Sequence, residues 1–189
     1  MVLDYFTGRQ MITCGNATTE PGLCFPETHK FLTFGWGTFC YNWSMKAVIQ
    51  RVNKAAVTKV DSGEIVGKIG LGLFILLGVD MKDSEEDAKK LANKISNLRI
   101  MADKDGKMNL SITNTSKEIL VVSQFTLLSD IKKGNRPSFL RAGEPKRAQE
   151  IYEYFIYALK NNGLNVETGS FGDYMNISAE LDGPVTIVI

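Results

Sequence analysis

Residues 46–79 read KAVIQRVNKAAVTKVDSGEIVGKIGLGLFILLGV, and this stretch decides the fold. Up to residue 60 it alternates and is rich in β-branched side chains, which is typical of half-buried strands, with Asn53-Lys54 as a possible break. Asp61-Ser62-Gly63 predicts a turn, residues 64–69 a short strand and residues 71–79 a fully buried strand. The body of the chain therefore begins with β-structure.

Two later segments have helical spacing. Asp83-x-x-Glu86 is spaced like a capping box and is followed by apolar residues at helical intervals, which predicts a helix over residues 84–98. Pro145 suits the first turn of a second helix, which ends at Gly163. Further strands are predicted at the remaining apolar runs, residues 98–101, 108–112, 118–127, 165–168, 174–179 and 185–189. Since long β runs with only two helices do not form a doubly wound parallel sheet, we predict one α+β domain with a curved, mostly antiparallel sheet or barrel.

The first 44 residues differ from the rest of the chain. They contain all three cysteines, the only histidine and both tryptophans, and they show neither helical nor strand periodicity. Met45-Lys46-Ala47-Val48-Ile49 looks like a fresh N-terminus that leads directly into a strand. We therefore interpret residues 1–44 as an irregular N-terminal extension, disordered or the product of an upstream start, and residues 45–189 as the domain.

Composition and spacing exclude several kinds of function. Cys14, Cys24 and His29 lack the short Cys-x2-4-Cys spacing of a zinc site, so no metal is predicted. Residues 45–189 contain neither Cys nor His, and no phosphate-binding glycine loop is present, so no cofactor is predicted. No apolar run is long enough to span a membrane, and no secretory leader is recognisable, so we expect neither membrane insertion nor export.

Three segments of the body are candidates for function. Ser123-Gln124-Phe125-Thr126 places three hydrogen-bonding side chains at the predicted end of a strand, where they either satisfy each other or face a site. Asp182-Gly183-Pro184 precedes the last strand and is either a simple turn or part of a site. Residues 131–147 carry six Lys or Arg side chains against Glu144, which fits either a solvated surface or contact with nucleic acid.

Five segments in the body together resemble one enzyme family. They are Met45-Lys46-Ala47-Val48-Ile49-Gln50-Arg51-Val52, Gly106-Lys107-Met108-Asn109, Ser123-Gln124-Phe125-Thr126-Leu127, Arg136-Pro137-Ser138-Phe139 and Gly183-Pro184-Val185-Thr186. In order and spacing they are similar to the D-aminoacyl-tRNA deacylase (D-tyrosyl-tRNA deacylase) family. The resemblance implies a homodimeric cytoplasmic hydrolase that releases D-amino acids from tRNA and also accepts mischarged glycyl-tRNA.

The resemblance also implies roles for individual residues. It places Ser123, Gln124, Phe125 and Thr126 near the scissile ester and the terminal ribose. It places Gly183 and Pro184 on a cis peptide that reaches into the partner subunit's site, where Arg51 steadies the loop. Phe171 and Met175 match positions that line the adenosine pocket. The family usually has Asn where this chain has Leu181, and Asp182 compensates only if its carboxylate turns inward.

The absence of a histidine base does not exclude this chemistry. An aminoacyl ester is activated by its neighbouring ribose hydroxyl, so positioning and an oxyanion site matter more than a strong base. We expect the backbone N–H groups of Phe125 and Thr126 to be the oxyanion donors, and Thr126 to position water rather than attack. Two alternatives stay open: a non-catalytic nucleic-acid-binding module on the same scaffold, and a purely structural dimerisation domain.

Overall fold

The computed structural model describes residues 44–132 and 134–189, so the predicted extension lies outside the described residues except for Ser44. The secondary structure runs in the order β1 (Lys46–Lys59), β2 (Ile65–Ile69), β3 (Gly72–Gly78), α1 (Glu85–Ser96), β4 (Met101–Ala102), β5 (Met108–Leu110), β6 (Glu118–Ser123), α2 (Pro145–Asn161), β7 (Asn165–Thr168) and β8 (Met175–Val188). Two 3₁₀ turns cover Ile112–Asn114 and Phe125–Leu128. In the described part of the chain, no helix is both long and apolar enough to cross a membrane.

Strand β1 is the centre of the main sheet. β8 pairs with it antiparallel from Val48 to Lys59 along one edge. β2 and β3 pair with residues in the same stretch of β1, so they lie end to end along the other edge. β6 then joins β3, and β7 joins β6, both parallel, with α1 and α2 in the respective connections. The sheet is mostly antiparallel with two parallel pairs, and the predicted fold class is confirmed.

The sheet curves until its ends nearly meet. A Cβ atom added to Gly67 on β2 would lie 2.5 Å from the carbonyl oxygen of Thr168, at the end of β7. Only a glycine allows two backbones to approach so closely. β2 therefore closes against the far side of the sheet, as in a barrel.

Alternate side chains of β3 and β6 enter two separate cores. Leu73, Ile75, Ile119 and Val121 pack under the two helices. Phe74, Leu120 and Val122 belong to a second cluster on the other face, together with Val52 of β1 and others. Because both faces of these central strands are buried, their sequences read as nearly continuous apolar runs. This explains why residues 71–79 are apolar almost throughout.

The first helix begins one residue later than its predicted capping box. Ser84 and Asp87 form the box, since the Asp87 N–H donates to Ser84 Oγ at 3.3 Å and the Ser84 N–H donates to Asp87 Oδ2 at 3.0 Å. The predicted pair of Asp83 and Glu86 is wrong. The Asp83 carboxylate instead accepts from the Asp80 N–H at 2.6 Å and from Ser44 Oγ at 2.5 Å, so it is already engaged. The second helix begins at Pro145, as predicted.

Several predicted strand limits are wrong. The strand predicted over residues 118–127 ends at Ser123, because the ladder with β3 ends at the Leu77–Ser123 pair. No break occurs at Asn53-Lys54, since β1 continues from Lys46 to Lys59. The two strands predicted at 174–179 and 185–189 are one strand, β8, which pairs with β1 on both sides of Gly183. The strands β4 and β5 are also shorter than predicted.

We expect Gly72→Ala to lower the free energy of unfolding by about 2–3 kcal/mol, as overpacking of a tight core typically does. An added Cβ would overlap the main-chain carbonyl of Glu118 on β6, which cannot withdraw without breaking the parallel ladder. Thermal unfolding followed by circular dichroism should show a Tm lower by about 5–10 °C.

Gly70→Ala is the matched control for Gly72→Ala. Its Cβ would lie 3.4 Å from the end of the Glu118 side chain, at ordinary contact distance. Its Tm should therefore stay close to that of the unaltered protein. Equal losses in the two variants would show that the close approach of β3 and β6 is not the cause.

Candidate active site

The Ser123–Thr126 segment lies where β6 ends and the chain turns. The Gln124 N–H donates to the Leu77 carbonyl at 2.7 Å, which closes the ladder with β3. The chain then enters the 3₁₀ turn Phe125–Leu128, where Leu128 is buried and Phe125 and Thr126 are exposed. The Gln124 side-chain amide Nε2 donates to Thr126 Oγ1. Gln124, Phe125 and Thr126 thus lie just beyond the end of β6, and Ser123 is the last residue of that strand.

The first two N–H groups of this turn have no hydrogen-bond partner among the described residues. Within residues 44–132 and 134–189, the N–H groups of Phe125 and Thr126 have no hydrogen-bond acceptor, whereas the next N–H, from Leu127, donates to the Gln124 carbonyl. The first N–H groups of a helical turn have no partner inside the turn. Two adjacent free donors beside an exposed hydroxyl can bind an oxygen that carries negative charge.

Phe171 and Met175 lie close to the same end of β6. The Gly169 N–H donates to the Val121 carbonyl at 3.0 Å, which carries the turn after β7 to a point two residues before Ser123. The Ser170 N–H lies 3.2 Å from Met175 Sδ, so this turn folds over Met175. The structure therefore brings the predicted adenosine-pocket residues and the Ser123–Thr126 segment to neighbouring positions.

Tyr152 of α2 supports this turn, and the sequence reasoning missed it. Its ring lies 5.8 Å from that of Phe171, and its hydroxyl donates to the Val121 carbonyl at 2.9 Å. Burial raises the pKa of Tyr152, so the hydroxyl keeps its proton and remains a donor. In the sequence, Tyr152 is visible only as a member of the apolar stripe of α2. That pattern cannot distinguish a tyrosine whose hydroxyl binds a neighbouring strand from an ordinary core residue.

Arg51 and Asp182 form a partly buried ion pair between β1 and β8. Arg51 is 8% exposed, and its Nε lies 2.7 Å from Asp182 Oδ2. The Nε–H is not directed along this contact, so the pair is held by charge rather than by a hydrogen bond from that atom. Arg51 Nη1 donates to the Ile100 carbonyl at 2.9 Å, which anchors the guanidinium group.

Gly183 and Pro184 are exposed on β8, next to this ion pair. The Gly183-Pro184 peptide is cis, as the family resemblance implies, and Gly183 has a φ of +113°. A Cβ added to Gly183 would lie 3.3 Å from Arg51 Nη2. The loop thus lies directly against the arginine that the resemblance assigns to it.

One chain does not bring Gly183-Pro184 to the Ser123–Thr126 segment. Arg51 pairs with Leu73, which pairs with Ile119, four residues before Ser123 on β6. Four residues span about 13 Å along a strand, and the three steps between β8 and β6 add about 14 Å across the sheet. In one chain the two segments are therefore separated both along β6 and across the sheet.

A surface cavity of about 500 Å³ lies away from these residues. Its lining includes Lys68, Lys160, Glu118 and Asn165. Glu118 and Asn165 begin β6 and β7, whereas Ser123 ends β6. The cavity and the candidate site are therefore at opposite ends of the same strand.

Within the described ranges, 44–132 and 134–189, no three side chains of His, Cys, Asp or Glu come together as ligands. Cys14, Cys24 and His29, which we considered from the sequence, lie outside the described residues.

A family model described as D-Tyr-tRNA(Tyr) deacylase matches residues 48–189. The chain belongs to this family. The D-aminoacyl-tRNA deacylase of Aquifex aeolicus (strain VF5) is 56% identical over 145 residues, which cover 77% of this chain and 97% of that protein. The D-aminoacyl-tRNA deacylase of Bacillus cytotoxicus is 48% identical over 145 residues, covering 77% of this chain and 98% of that protein. The predicted D-Tyr-tRNA(Tyr) deacylase resemblance is confirmed.

Two solved structures are similar to this deacylase-family chain. The c-Myc DNA Unwinding Element Binding Protein superposes with a TM-score of 0.70 at 39% identity, covering 76% of this chain and 97% of that one. A probable eukaryotic D-amino acid tRNA deacylase superposes with a TM-score of 0.67 at 16% identity, covering 77% of this chain and 98% of that one. At that identity the second likeness supports the fold alone.

The departure from the usual deacylase-family motif has a structural answer. Leu181, in the place of the usual Asn, pairs with Val52 on β1 and is 43% exposed. The carboxylate of the next residue, Asp182, turns inward to Arg51. The Asp182 carboxylate thus has the inward orientation that compensation for Leu181 requires.

Proposed function

We propose that this chain hydrolyses the ester bond of D-aminoacyl-tRNA and releases the free D-amino acid and tRNA. Membership of the D-Tyr-tRNA(Tyr) deacylase family supports the reaction. The observation that carries the proposal is the pair of free N–H groups, on Phe125 and Thr126, at the start of the 3₁₀ turn. They suit the oxyanion that forms when water attacks an ester carbonyl.

The proposed reaction needs no strong base. The terminal adenosine binds against Phe171 and Met175, and the ester carbonyl points to the two free N–H groups. Water adds to the carbonyl carbon, the bond to the ribose oxygen breaks, and that oxygen takes a proton. The neighbouring ribose hydroxyl already activates the ester, so holding the reactants in place supplies most of the remaining acceleration.

Thr126 acts in this mechanism by positioning rather than by attack. Its Oγ1 accepts a hydrogen bond from the Gln124 amide, which withdraws electron density and supplies no base. The hydroxyl proton stays available to a water or substrate oxygen. A threonine nucleophile would need a group that removes this proton, and the Gln124 amide cannot do so.

We further propose that selection of the D-form uses Gly183 and Pro184 of a second copy in a homodimer. Their backbone carbonyls would bind the substrate's α-ammonium group and fill the space that an L side chain needs. Glycine has no side chain to exclude, so mischarged glycyl-tRNA would also be accepted. Support comes from the exposure of Gly183-Pro184 and from its distance from the Ser123–Thr126 segment of its own chain. We place the reaction in the cytoplasm as part of the same proposal.

The proposal is tested by deacylation of D-tyrosyl-, L-tyrosyl- and glycyl-tRNA by the full chain. We expect release from D-tyrosyl- and glycyl-tRNA, and at least a hundredfold slower release from L-tyrosyl-tRNA, together with a dimer in analytical ultracentrifugation. Equal rates for the two tyrosyl enantiomers would refute the selection mechanism. An intact D-ester after prolonged incubation would refute the enzyme assignment.

A second candidate function is a non-catalytic nucleic-acid-binding module. The similarity to a protein described as a DNA unwinding element binding protein favours it, as do the exposed Lys132 and Arg136. Such a module would retain tRNA or duplex DNA in a gel shift and leave the D-aminoacyl ester intact. The deacylation assay above separates the two functions.

Replacing Thr126 tests its role. We expect Thr126→Ala to lower kcat about tenfold, which corresponds to the loss of one hydrogen bond of about 1.4 kcal/mol. Single-turnover kinetics with D-tyrosyl-tRNA measures this change, and Thr126→Ser should restore most of the rate. A fall of Thr126→Ala to the uncatalysed rate would instead identify Thr126 as the nucleophile.

A further inference from the structure

Two aromatic rings are exposed together beside the candidate site. Phe125 is 55% exposed and Phe139 is 38% exposed. Their ring centroids are 5.2 Å apart with the ring planes at 72°, an edge-to-face contact. We call Phe125 and Phe139 the aromatic pair. Neither ring contributes to a buried core, so their contact in the single chain leaves apolar ring surface open to solvent.

The aromatic pair is held rigidly. Phe139 follows Ser138, whose N–H donates to the Asp130 carbonyl at 2.9 Å and whose carbonyl accepts from the Asp130 N–H at 2.8 Å. Two residues further on, Arg141 Nη2 donates to the buried carboxylate of Asp80 at 2.8 Å. Phe125 is fixed by the 3₁₀ turn. A surface held in this way loses little conformational entropy when it binds a ligand.

The loop between Asp130 and Ser138, which leads directly into Phe139, carries positive side chains. Lys132 and Arg136 are exposed, and in the described part of the chain no carboxylate lies within ion-pair distance of either side chain. The nearby Asp130 carboxylate accepts from the Lys132 backbone N–H at 2.9 Å, so it is engaged with the main chain. Exposed cations on the loop that leads to a pair of exposed rings complement a phosphate backbone with unpaired bases.

We propose that the aromatic pair stacks on an unpaired base of the tRNA acceptor end, 5′ of the terminal adenosine, while Lys132 and Arg136 contact its phosphates. This inference rests on the proposed function, in which Phe171 and Met175 take the adenosine. Phe125 is the residue next to Thr126, so the strand that leaves the terminal ribose starts beside the aromatic pair. Stacking needs only the face of an unpaired base, which the single-stranded acceptor end offers.

The experiment compares two substrates of the full chain, D-tyrosyl-tRNA and D-tyrosyl-adenosine, which lacks every upstream nucleotide. Phe139→Ala should raise the ratio of the two KM values, tRNA over adenosine, about tenfold, because one base–aromatic stack is lost. Phe139→Tyr should restore the ratio. Leu140→Ala is the matched control, since Leu140 is the adjacent apolar residue and is 83% exposed; it should leave the ratio unchanged.

Charge provides a second readout. Arg136→Gln should weaken the dependence of the tRNA KM on salt concentration and leave the salt dependence for D-tyrosyl-adenosine unaltered, since the short substrate has no phosphate. If Phe139 and Arg136 were only solvated surface residues, their substitution would produce neither effect. The two measurements therefore address the rings and the cations separately.

Four outcomes would overturn the inference. Equal increases of both KM values in Phe139→Ala would show that the ring only supports the ester site. Loss of the dimer in that variant, seen by ultracentrifugation, would show that the aromatic pair is an interface between copies. Failure of the unaltered protein to hydrolyse either substrate would refute the deacylase assignment itself, whereas hydrolysis of both with an unchanged ratio in Phe139→Ala refutes the stacking alone.

Discussion

Gly183→Ala is expected to slow hydrolysis of D-tyrosyl-tRNA by at least a hundredfold in a protein that still folds. Gly183 has a φ of +113°, a conformation that residues with a Cβ rarely adopt. The added atom would also lie 3.0 Å from Val185 Cγ2 and 3.1 Å from the Val185 nitrogen. The loop must shift to relieve these contacts, and a displacement of about 1 Å at a positioning group costs about a hundredfold in rate.

Gly63→Ala is the control that separates backbone strain from loss of function. Gly63 has a φ of +69° in the β1–β2 turn, and an added Cβ would meet nothing within 4 Å. The variant should lose about 1 kcal/mol of stability and keep its deacylation rate. Steady-state rates and Tm values for the two variants decide the matter: a folded, fully active Gly183→Ala protein would remove Gly183 from the mechanism.

Mixing two variants that are each defective in a different part of the site tests whether the loop acts across subunits. Gly183→Ala supplies an intact Ser123–Thr126 segment, and the double variant Thr126→Ala/Phe171→Ala supplies an intact loop. If the loop acts in the partner's site, each mixed dimer contains one complete site, and random exchange should restore about a quarter of the unaltered activity. If the loop acts within its own chain, no mixed dimer has a complete site and activity stays low.

Arg51→Met is expected to have the largest effect on stability, lowering the free energy of unfolding by about 3 kcal/mol, as removal of one partner from a buried pair does. The change leaves the Ile100 carbonyl without its donor and the Asp182 carboxylate without its cation. Asp182→Asn should cost less, about 2 kcal/mol, because Arg51 keeps its hydrogen bond to the Ile100 carbonyl and loses only its counter-charge. Chemical denaturation of both single variants and the double variant measures the coupling.

The matched control for Arg51→Met is another pair between the same two strands. Lys54 Nζ lies 2.8 Å from Glu180 Oε2, but both side chains are largely exposed. Lys54→Met should therefore leave stability and D-tyrosyl-tRNA hydrolysis unchanged. Arg51→Met should also lower the rate, since it removes the group against which Gly183 lies. A stable, fully active Arg51→Met protein would show that the ion pair does not brace the loop.

The sequence predicted those features that depend on neighbours along the chain. Pro145 begins α2 because its fixed φ and missing N–H suit the first turn, and Gly163 follows the helix with a φ of +79°. The buried strand over residues 72–78 was visible because both of its faces are covered, so nearly every position is apolar. The family itself was visible in five short motifs that keep their order.

Features that depend on a partner strand could not be predicted in this way. β6 ends at Ser123 because β3 ends beside it, and the Ile-Leu-Val-Val run gives no sign of that limit. A turn is predicted at Asp182-Gly183-Pro184, but in the structure these residues form an irregularity inside β8. The strand continues because β1 supplies hydrogen bonds on both sides of it. The capping box lies at Ser84 rather than at Asp83, because the Asp83 carboxylate binds Ser44 and Asp80 instead.

The fold class, both helices and the family could be predicted without coordinates, since local backbone preferences and motif order are properties of the chain alone. Only the tertiary structure decided that Asp182 turns to Arg51, that Phe125 meets Phe139, and that Gly183 lies far from the Ser123–Thr126 segment of its own chain. The physical reason is that periodicity reports which face a residue occupies. It contains no information on the strand, loop or second molecule that covers that face.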